Sequence, residues 1–371
     1  MADEKIEVII VGGGIAGLTA ANVLAREGAE VLLIERGTYC GAKNVTGGKL
    51  YSDTLEKVFE GFAQNAPVER LLTREEVYAM SPEASERIDA GGIAAPESGS
   101  KAYSVLRAKL DTWLAEQAEN EGAMLVQNIV VTDLVVEDGR VCGVVAGDET
   151  MLADVVILAD GVNSLLAQKL GMMPELGMKC SCVGVKEVIV LDEATINSRF
   201  GLDGGEGVEM MFIGDKEHGQ LADGFIYTNK DSLSVGIEFV IGDIYKTGKS
   251  VPEMLEEFKA RPEVAKLIEG GRLTEYSAHV VHHGGAEKPA KLFGDGVIIA
   301  GDAAGLVANY GFTVRGMDMA AESGRLAAET VLAARECGDF SAEKLSEYQQ
   351  AIEKSFIAVD LAKCENYFAD K

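Results

Sequence analysis

The sequence is poor in basic residues, in long apolar runs and in closely spaced cysteines. Lys and Arg number 34 against 60 Asp and Glu, so the formal net charge is −26. This balance excludes a nucleic-acid-binding function, because phosphate backbones bind basic surfaces. No apolar run reaches the roughly 18 residues that predict a membrane-spanning helix. We therefore expect a globular protein whose acidic residues lie mainly on a solvated surface.

The cysteines and histidines do not indicate a metal centre. The six cysteines are scattered, and no pair has the Cys-x-x-Cys spacing of zinc or iron–sulfur sites. Cys180 and Cys182 are interpreted as strand residues, and His279, His282 and His283 as structural or surface residues. With reduced thiols, and with no room for a signal peptide before the first strand, a cytoplasmic location is expected.

What the sequence does contain is a strong dinucleotide-binding pattern near its beginning. An apolar strand is followed by Gly12-Gly13-Gly14-Ile15-Ala16-Gly17 and, after a helix and a second strand, by Glu35. Gly12 permits a sharp turn, Gly14 lets the backbone approach phosphates, and Gly17 lets the helix pack closely on the sheet. The helix N-terminus offers N–H groups and partial positive charge to a pyrophosphate. Glu35 is expected to accept hydrogen bonds from ribose hydroxyls.

Later segments are predicted to meet this site at the same edge of the sheet. Ala159-Asp160-Gly161 follows a nearly uninterrupted apolar strand, and Gly301-Asp302 follows another. Open α/β sheets bind ligands at the carboxyl ends of such strands, so both aspartates are candidate partners of sugar-like hydroxyls. Arg107 lies near the start of an amphipathic helix predicted over Ser104 to Glu121, and its forked guanidinium suits a phosphate.

The order of strand and helix patterns predicts an α/β fold. Buried strand patterns near both ends indicate one discontinuous Rossmann-like domain, whereas alternating patterns between them indicate an inserted, mostly antiparallel sheet. The strand acids Asp231 and Glu238 are interpreted as solvent-facing, and Asp138-Gly139 as a hairpin turn with positive φ. The predicted boundaries are 1–60, 102–172 and 288–340 for the dinucleotide-binding domain, 61–101 and 173–287 for the inserted domain, and 341–371 for a C-terminal helical segment.

These segments together resemble the glutathione-reductase-like flavoproteins, in the branch of aromatic hydroxylases, geranylgeranyl reductases and electron-transfer flavoprotein:quinone oxidoreductases. A more specific resemblance, to the Fix-type quinone oxidoreductases, covers essentially the whole chain. It rests on the strings Glu35-Arg36-Gly37, Gly41-Ala42-Lys43-Asn44-Val45-Thr46-Gly47-Gly48-Lys49-Leu50-Tyr51, Tyr103-Ser104-Val105-Leu106-Arg107, Ala159-Asp160-Gly161-Val162-Asn163-Ser164, Glu275-Tyr276-Ser277-Ala278-His279-Val280 and Gly301-Asp302-Ala303-Ala304-Gly305.

The resemblance implies a Rossmann-like FAD-binding domain whose inserted domain lies on the quinone side. It implies a protein that takes electrons from a heterodimeric electron-transfer flavoprotein and passes them to quinone, together with a small ferredoxin-like iron–sulfur subunit. Because FAD performs the chemistry, no catalytic side chain is predicted. With the motifs above, the implied cofactor-binding residues are Gly12, Gly14, Ile15, Ala16, Gly17, Glu35, Arg36, Lys43, Asn44, Val45, Thr46, Gly47, Gly48, Arg107, Val131, Ala159, Asp160, Gly161, Gly301, Asp302, Gly311, Phe312 and Thr313.

By the same resemblance, these residues divide along the cofactor. The glycine turn and Glu35 serve the ADP half, and Arg107, Asp160 and Asp302 lie along the pyrophosphate and ribityl chain. Lys43 to Gly48 and Gly311 to Gly316 border the isoalloxazine, where the N-terminus of a helix predicted over Gly316 to Ala334 stabilises negative charge. Since long-chain quinones are insoluble in water, peripheral contact with the inner face of the cell membrane is also expected.

Two other functions stay open on the sequence alone. One is an alkene reductase like the geranylgeranyl reductases, or an NAD(P)H-dependent flavin reductase or hydroxylase. The chain has no second glycine fingerprint for a nicotinamide, but hydroxylases of this branch use NADPH without one. The other is a flavin-holding subunit without turnover of its own, because relatives of the resembled type continue beyond the point at which this sequence ends.

Overall fold

The computed structural model of the chain describes residues 5–44, 48–89, 99–175, 177–178, 181–216, 222–282, 291–311 and 313–369. Val45, Thr46, Gly47 and Phe312 of the predicted flavin site lie outside the described residues, as do Cys180 and His283.

The strands of the described chain are distributed over two large sheets and one small one. They are β1 (Ile6–Val11), β2 (Val31–Glu35), β3 (Lys49–Tyr51), β4 (Val68–Met80), β5 (Ser85–Ile88), β6 (Ala102–Val105), β7 (Met124–Gln127), β8 (Val131–Glu137), β9 (Arg140–Ala146), β10 (Glu149–Leu158), β11 (Ser181–Val190), β12 (Glu206–Ile213), β13 (Asp223–Thr228), β14 (Ser232–Val240), β15 (Arg272–His282), β16 (Phe293–Gly294), β17 (Val297–Ile299), β18 (Ala308–Asn309) and β19 (Val314–Arg315).

The helices of the described chain cover the sheets. They are α1 (Ile15–Arg26), α2 (Asp53–Val58), α3 (Phe62–Asn65), α4 (Arg107–Asn120), α5 (Leu165–Lys169), α6 (Glu193–Phe200), α7 (Ile244–Thr247), α8 (Val251–Ala260), α9 (Pro262–Ile268), α10 (Met317–Cys337), α11 (Ala342–Lys354) and α12 (Phe356–Ala369).

The first large sheet has the Rossmann-like arrangement that the sequence predicts. Its eight described strands include the order β16-β17-β10-β1-β2-β7, with the β8–β9 hairpin attached to β10. β1 is parallel to β2 and β10, and β10 is parallel to β17. The hairpin turn has positive φ at Asp138 and Gly139, as predicted. Val11 is level with Leu158, and Leu158 with Ile299, so the chain leaves all three strands at one edge.

The second large sheet is mostly antiparallel, which confirms the predicted fold class. Its nine described strands include the order β15-β11-β14-β13-β12-β4-β6-β3, and only the β12–β4 pair is parallel in that order. One face carries a separate hydrophobic core, which includes Val185, Val235 and Ile237 and also side chains of α6, α8 and α9. Residues that alternate with this core point to the opposite face, toward the first sheet.

Two strands from the ranges predicted for the dinucleotide-binding domain belong to the second sheet, which the sequence did not reveal. We call the place where they join that sheet the seam. β3 and β6 lie in the ranges 1–60 and 102–172, which are predicted for the dinucleotide-binding domain, yet they pair in the second sheet. For the same reason α4 begins at Arg107 and not at Ser104, since Ser104 pairs with Lys49. The domain boundaries themselves stay a prediction.

Close helix packing brings two helix N-termini to the same place. A Cβ on Gly17 would lie 2.1 Å from the Gly12 carbonyl oxygen, and one on Gly324 would lie 2.1 Å from the Ala16 carbonyl oxygen. Only glycine therefore lets α1 approach β1, and α10 approach α1, this closely.

A buried ion-pair network ties the end of the described chain to the start of α10. Arg315 is 4 % exposed. Its guanidinium contacts Asp318 at 2.5 Å and Asp360 of α12 at 2.6 Å. The two carboxylates balance its charge, because a buried cation without partners is unfavourable.

Candidate functional site

One open cavity lies between the two large sheets and gathers most of the predicted site. It has about 1930 Å³ of empty space including its open mouth. Its lining comes from the carboxyl ends of the parallel strands, the start of α1 and one face of the second sheet. The predicted residues that line it are Gly12, Gly14, Ile15, Ala16, Glu35, Arg36, Lys43, Asn44, Gly48, Arg107, Val131, Ala159, Asp160, Gly161 and Asp302.

Four other predicted residues do not line this cavity. Gly17 is buried between α1 and β1, and the Gly301 amide donates to Ser323 Oγ at 2.9 Å. The Gly311 amide donates to the Asn309 side chain at 2.7 Å, and the Thr313 carbonyl accepts from the Tyr310 amide at 3.0 Å. These backbone groups are held within the protein, and a cofactor-binding role for the four residues stays a prediction.

The glycine turn has the geometry of an anion site. Gly12 has φ of +108°, and a Cβ there would lie 2.2 Å from the Ala159 carbonyl oxygen. At Gly14 a Cβ would meet only the Arg107 guanidinium, at 3.9 Å, so its space opens onto the cavity. The N-cap residue of α1 is Gly14, which has no side chain with which to cap the first turn. The leading N–H groups of α1 are thus available to a negatively charged ligand at the positive end of the helix dipole.

Glu35 is oriented by backbone donors at the end of β2. Its Oε2 accepts from the Gly13 amide at 2.7 Å, and its Oε1 accepts from the Gly37 amide at 2.5 Å. Each carboxylate oxygen keeps a further acceptor position, so the side chain can also accept from ligand hydroxyls. Burial, followed by the charges of Glu35 and Asp111, raises the pKa of neighbouring Cys40 to about 12. That thiol is therefore protonated and is not a nucleophile at neutral pH.

Arg107 is held by a residue that sequence reasoning missed. Asp111 accepts from Arg107 Nε at 2.7 Å and from Nη2 at 2.8 Å. Asn44 also donates to Asp111, at 2.5 Å, so one buried carboxylate orients two cavity-lining side chains. The i, i+4 spacing of Arg107 and Asp111 on one helix face was the signal that could have identified the pair.

Asp160 lines the cavity, and one of its carboxylate oxygens has no hydrogen-bond partner among the described residues. Its Oδ1 is buried and accepts no hydrogen bond there. Burial raises the pKa of Asp160 to about 6, and backbone N–H groups and Arg36 only partly oppose this. A buried acceptor without a donor is unfavourable, and a ligand hydroxyl would supply the donor. The donor set of the cavity thus fits a dinucleotide with its pyrophosphate and polyol groups.

The charges that line the cavity are balanced, although the whole chain carries −26. Balance in so acidic a protein means that cations are concentrated around the site, which favours a diphosphate ligand. The charged lining residues are the cations Arg36, Lys43, Lys49 and Arg107 and the acids Glu35, Asp160, Glu238 and Asp302.

The second sheet contributes a wall to the cavity, and the residues that form this wall were not identified from the sequence. Glu238 pairs with Gly184, which pairs with His279, and all three line the cavity. The interpretation of Glu238 as solvent-facing is therefore wrong, whereas Asp231 is exposed as predicted. Burial is the main cause that raises the pKa of Glu238 to about 7.

His279 and its neighbours complete this wall. Burial and the charges of Arg36, Arg107 and Lys43 lower the pKa of His279, so its ring is neutral at pH 7. His282 also lines the cavity. In the described ranges, no group of three or more His, Cys, Asp or Glu side chains is placed to hold a metal ion. None of the helices in those ranges combines the length and apolar character that crossing a bilayer requires.

Comparison with known proteins agrees with this geometry. Residues 7–177 match a family model described as FAD dependent oxidoreductase. Protein FixC of Escherichia coli K12 is 50 % identical over 353 residues, which cover 95 % of this chain and 82 % of that protein. The probable electron transfer flavoprotein-quinone oxidoreductase YdiS of the same organism is 48 % identical, over 97 % of this chain and 84 % of YdiS. This chain belongs to the FixC family.

FixC of Azorhizobium caulinodans is a more distant relative, 38 % identical over 98 % of this chain and 84 % of that protein. Among solved structures, a geranylgeranyl bacteriochlorophyll reductase-like protein from Thermoplasma acidophilum has a TM-score of 0.77 at 21 % identity. It covers 98 % of this chain and 87 % of its own, a likeness that shows the fold alone. As a member of the FixC family, the protein is an FAD-dependent oxidoreductase, and its cofactor is FAD.

Proposed function

We propose that this chain accepts electrons from a heterodimeric electron-transfer flavoprotein and passes them to quinone, within a Fix-type complex that includes a small ferredoxin-like iron–sulfur subunit. The observation that carries the proposal is a cavity that extends from the dinucleotide edge of the first sheet to a partly apolar wall of the second. The name of YdiS supports the choice of donor and acceptor.

The cavity-lining residues divide naturally along FAD. Gly12, Gly14 and the N-terminus of α1 would hold the pyrophosphate, Glu35 a ribose, and Asp160 with Asp302 the polyol hydroxyls. The start of α10, where Gly316 and Met317 line the cavity, would border the flavin ring. Bound FAD supplies the redox chemistry, and the protein positions it and controls its surroundings.

The second sheet would form the acceptor side of the cavity. Met211, Phe225 and Val281 line it and are at most partly exposed, so they exclude water and offer an apolar surface to a quinone ring. The neutral imidazole of His279 adds a polar group without a charge at pH 7. Electron transfer from the flavin to a bound quinone depends on the proximity of the two rings more than on acid–base catalysis.

The electron donor is the decisive test. In stopped-flow mixing, the oxidised holoenzyme should lose its flavin absorbance rapidly with reduced electron-transfer flavoprotein and only slowly with NADPH. Fast bleaching by NADPH would instead identify the hydroxylase or alkene-reductase alternative. A reduced flavoprotein that leaves the flavin oxidised would contradict the proposal directly.

The acceptor is tested separately. A soluble quinone added to the pre-reduced protein should restore the oxidised flavin spectrum, and a flavin that stays reduced would mean that the isolated chain is no quinone reductase. We also propose peripheral contact at the inner face of the cell membrane. Co-sedimentation with quinone-loaded liposomes tests this contact, and a protein that stays in the supernatant would count against it.

A further inference from the structure

A cluster of ionisable side chains, three of them buried, lies beside the cavity, and none of them is assigned to the dinucleotide above. We call Lys49, Glu75, Glu209 and Tyr227 the Lys49 cluster. Lys49 Nζ lies 2.5 Å from Glu209 Oε2 and 3.4 Å from Glu75 Oε2. The Tyr227 hydroxyl donates to Glu209 Oε1 at 3.0 Å. Glu75, Glu209 and Tyr227 are level with one another on neighbouring strands, so their side chains share one face of the second sheet.

Lys49, Glu209 and Tyr227 have buried side chains, Glu75 is exposed, and Lys49 keeps its charge despite burial. The side chains of Lys49 and Glu209 are 7 % and 1 % exposed. Burial opposes the charged form of Lys49, but Glu209, Tyr51 and Glu75 more than compensate and raise its pKa. A buried ion pair contributes little more to stability than apolar side chains of similar volume. Its position in the cavity wall therefore points to a role toward a ligand.

Two members of the cluster reach the cavity itself. Lys49 and Tyr227 line it, whereas Glu209 lies behind them. An ammonium group has three N–H donors. The contacts with Glu209 and Glu75 are ion pairs without hydrogen-bond geometry, and Lys49 Nζ has no hydrogen-bond partner among the described residues, so a ligand atom can accept from it.

The cluster lies next to the position proposed for the flavin ring. Lys49 directly follows Gly48, which ends the predicted isoalloxazine loop and lines the cavity. On the other side, the Arg315 guanidinium lies 4.8 Å from the centre of the Tyr51 ring, and Arg315 immediately precedes the start of α10. A group bound by Lys49 would thus lie beside the electron-transferring part of the cofactor.

The surroundings of Lys49 define the ligand that suits it. Met211 and Phe225 pair with each other two residues beyond Glu209 and Tyr227, so they continue the same face as an apolar surface. Because Glu209 already balances the charge of Lys49, an anionic ligand gains little there. A neutral molecule with an apolar ring and a carbonyl oxygen matches both parts of the wall.

We propose that Lys49 binds a carbonyl oxygen of the quinone, and that Glu209 and Tyr227 position its ammonium group. The inference rests on the proposed function and assigns the acceptor end of the cavity. Lys49 donates a hydrogen bond to the oxygen, and the ring lies against Met211 and Phe225. Lys49 is a substrate-binding residue in this assignment, and Glu209 and Tyr227 are positioning residues.

The test measures quinone binding separately from turnover. The dissociation constant of ubiquinone-1 is determined on oxidised holoenzyme by quenching of flavin fluorescence, for the wild type and for K49M, K49Q, E209Q and Y227F. Two matched controls lie on the same sheet outside the cavity. K186M removes a lysine that is 1 % exposed and pairs with Glu275 at 3.0 Å, and Y78F removes a hydroxyl that donates to Glu76 at 2.6 Å.

We expect K49M, which removes the donor, to weaken ubiquinone-1 binding roughly 10- to 100-fold, the effect of losing one hydrogen bond to a charged donor. K49Q keeps an uncharged, shorter donor and should weaken binding less. E209Q and Y227F should raise the KM for quinone more than they lower kcat. With ferricenium, an acceptor without a carbonyl oxygen, the rates of these variants should fall less than they do with ubiquinone-1. K186M and Y78F should bind quinone like the wild type.

Several results would overturn the assignment. Unchanged quinone affinity in a folded, flavin-loaded K49M would do so, and so would an equal loss in K186M. If K49Q lowered FAD content or shifted the flavin spectrum in step with quinone binding, Lys49 would be a flavin ligand. A wild type that binds and reduces no quinone would refute the proposed function and this inference together, whereas the other outcomes leave the proposed function intact.

Discussion

Replacing Asp160 by Asn should stabilise the protein without its cofactor and weaken its hold on FAD. In the apoprotein, the Asp160 carboxylate is buried with an unpaired Oδ1. Its pKa rises from 3.8 to about 6, mainly because burial disfavours the charge. At about 1.36 kcal/mol for each pH unit, this difference corresponds to about 3 kcal/mol. Because the residue is not wholly buried, that figure is an upper bound.

The sign of the pH dependence follows from these values. The folded apoprotein binds the proton of Asp160 more tightly than the unfolded chain does. Its stability therefore falls as pH rises from about 4 to about 6, and the full loss is present above that range. At pH 8 the D160N apoprotein should gain up to about 3 kcal/mol, or about 4 °C in Tm for a chain of this length. The amide is a weaker acceptor, so FAD should bind about 5- to 10-fold less tightly.

Thermal unfolding of flavin-free and flavin-loaded protein between pH 4 and pH 8 measures both effects. The D231N variant, which changes an exposed aspartate, is the matched control and should leave both curves in place. A D160N apoprotein that is less stable than the wild type at pH 8 would contradict the destabilising ionisation assigned to Asp160. A stabilisation by FAD as large as in the wild type would show that Asp160 makes no contact with the cofactor.

Three further predictions concern other parts of the structure. G12A should abolish flavin absorbance and lower the free energy of unfolding by more than about 1–3 kcal/mol, the cost of positive-φ strain alone. G28A is the control, because Gly28 has φ of +72° but nothing lies within 4 Å of a Cβ there, so this variant should show only the strain. In the wild type, Tm should fall between about pH 4.5 and pH 7, because the raised pKa of Glu238 means that its ionisation destabilises the fold. E238Q should not show this fall, and an unchanged Tm profile would place the group in solvent. R315M removes the ion-pair partner of buried Asp318 and leaves Asp360 paired, among the described residues, with Lys363 alone, so it should cost about 3–5 kcal/mol in denaturant unfolding. Replacing the exposed Arg335 by Met should cost about 1 kcal/mol or less, and equal losses would contradict the network.

The dinucleotide edge of the fold was predictable because it depends on local pattern and on one topological rule. Positive φ and close approach at Gly12 require glycine, and the sequence shows it directly. Asp160 and Asp302 follow buried strands, and the carboxyl ends of parallel strands meet at one edge whatever the loops between them do. Knowledge of the strand type was therefore enough to bring these residues together.

The wall formed by the second sheet was not predictable in the same way. Alternation in β14 separates Glu238 from its apolar neighbours, but a period of two does not say whether the polar face meets solvent or a cavity. Only the packing of the second sheet over the first decides this. The pairing of Lys49 with Glu209 is likewise invisible, because 160 residues separate them and no local pattern links them. The late start of α4 was unpredictable for the same reason, because Ser104 pairs with Lys49 of β3, which lies in a distant segment of the chain.

The seam at β3 and β6 has a consequence for how the protein unfolds. Chain from the dinucleotide-binding region completes the edge of the other sheet, and the cavity is bounded by both. A ligand that contacts both walls binds only while both are folded. If either wall unfolds, the binding free energy of the ligand is lost, so the ligand couples the unfolding of the two regions. Protease digestion should therefore proceed region by region in flavin-free protein and switch to all-or-none cleavage once the cofactor is added back.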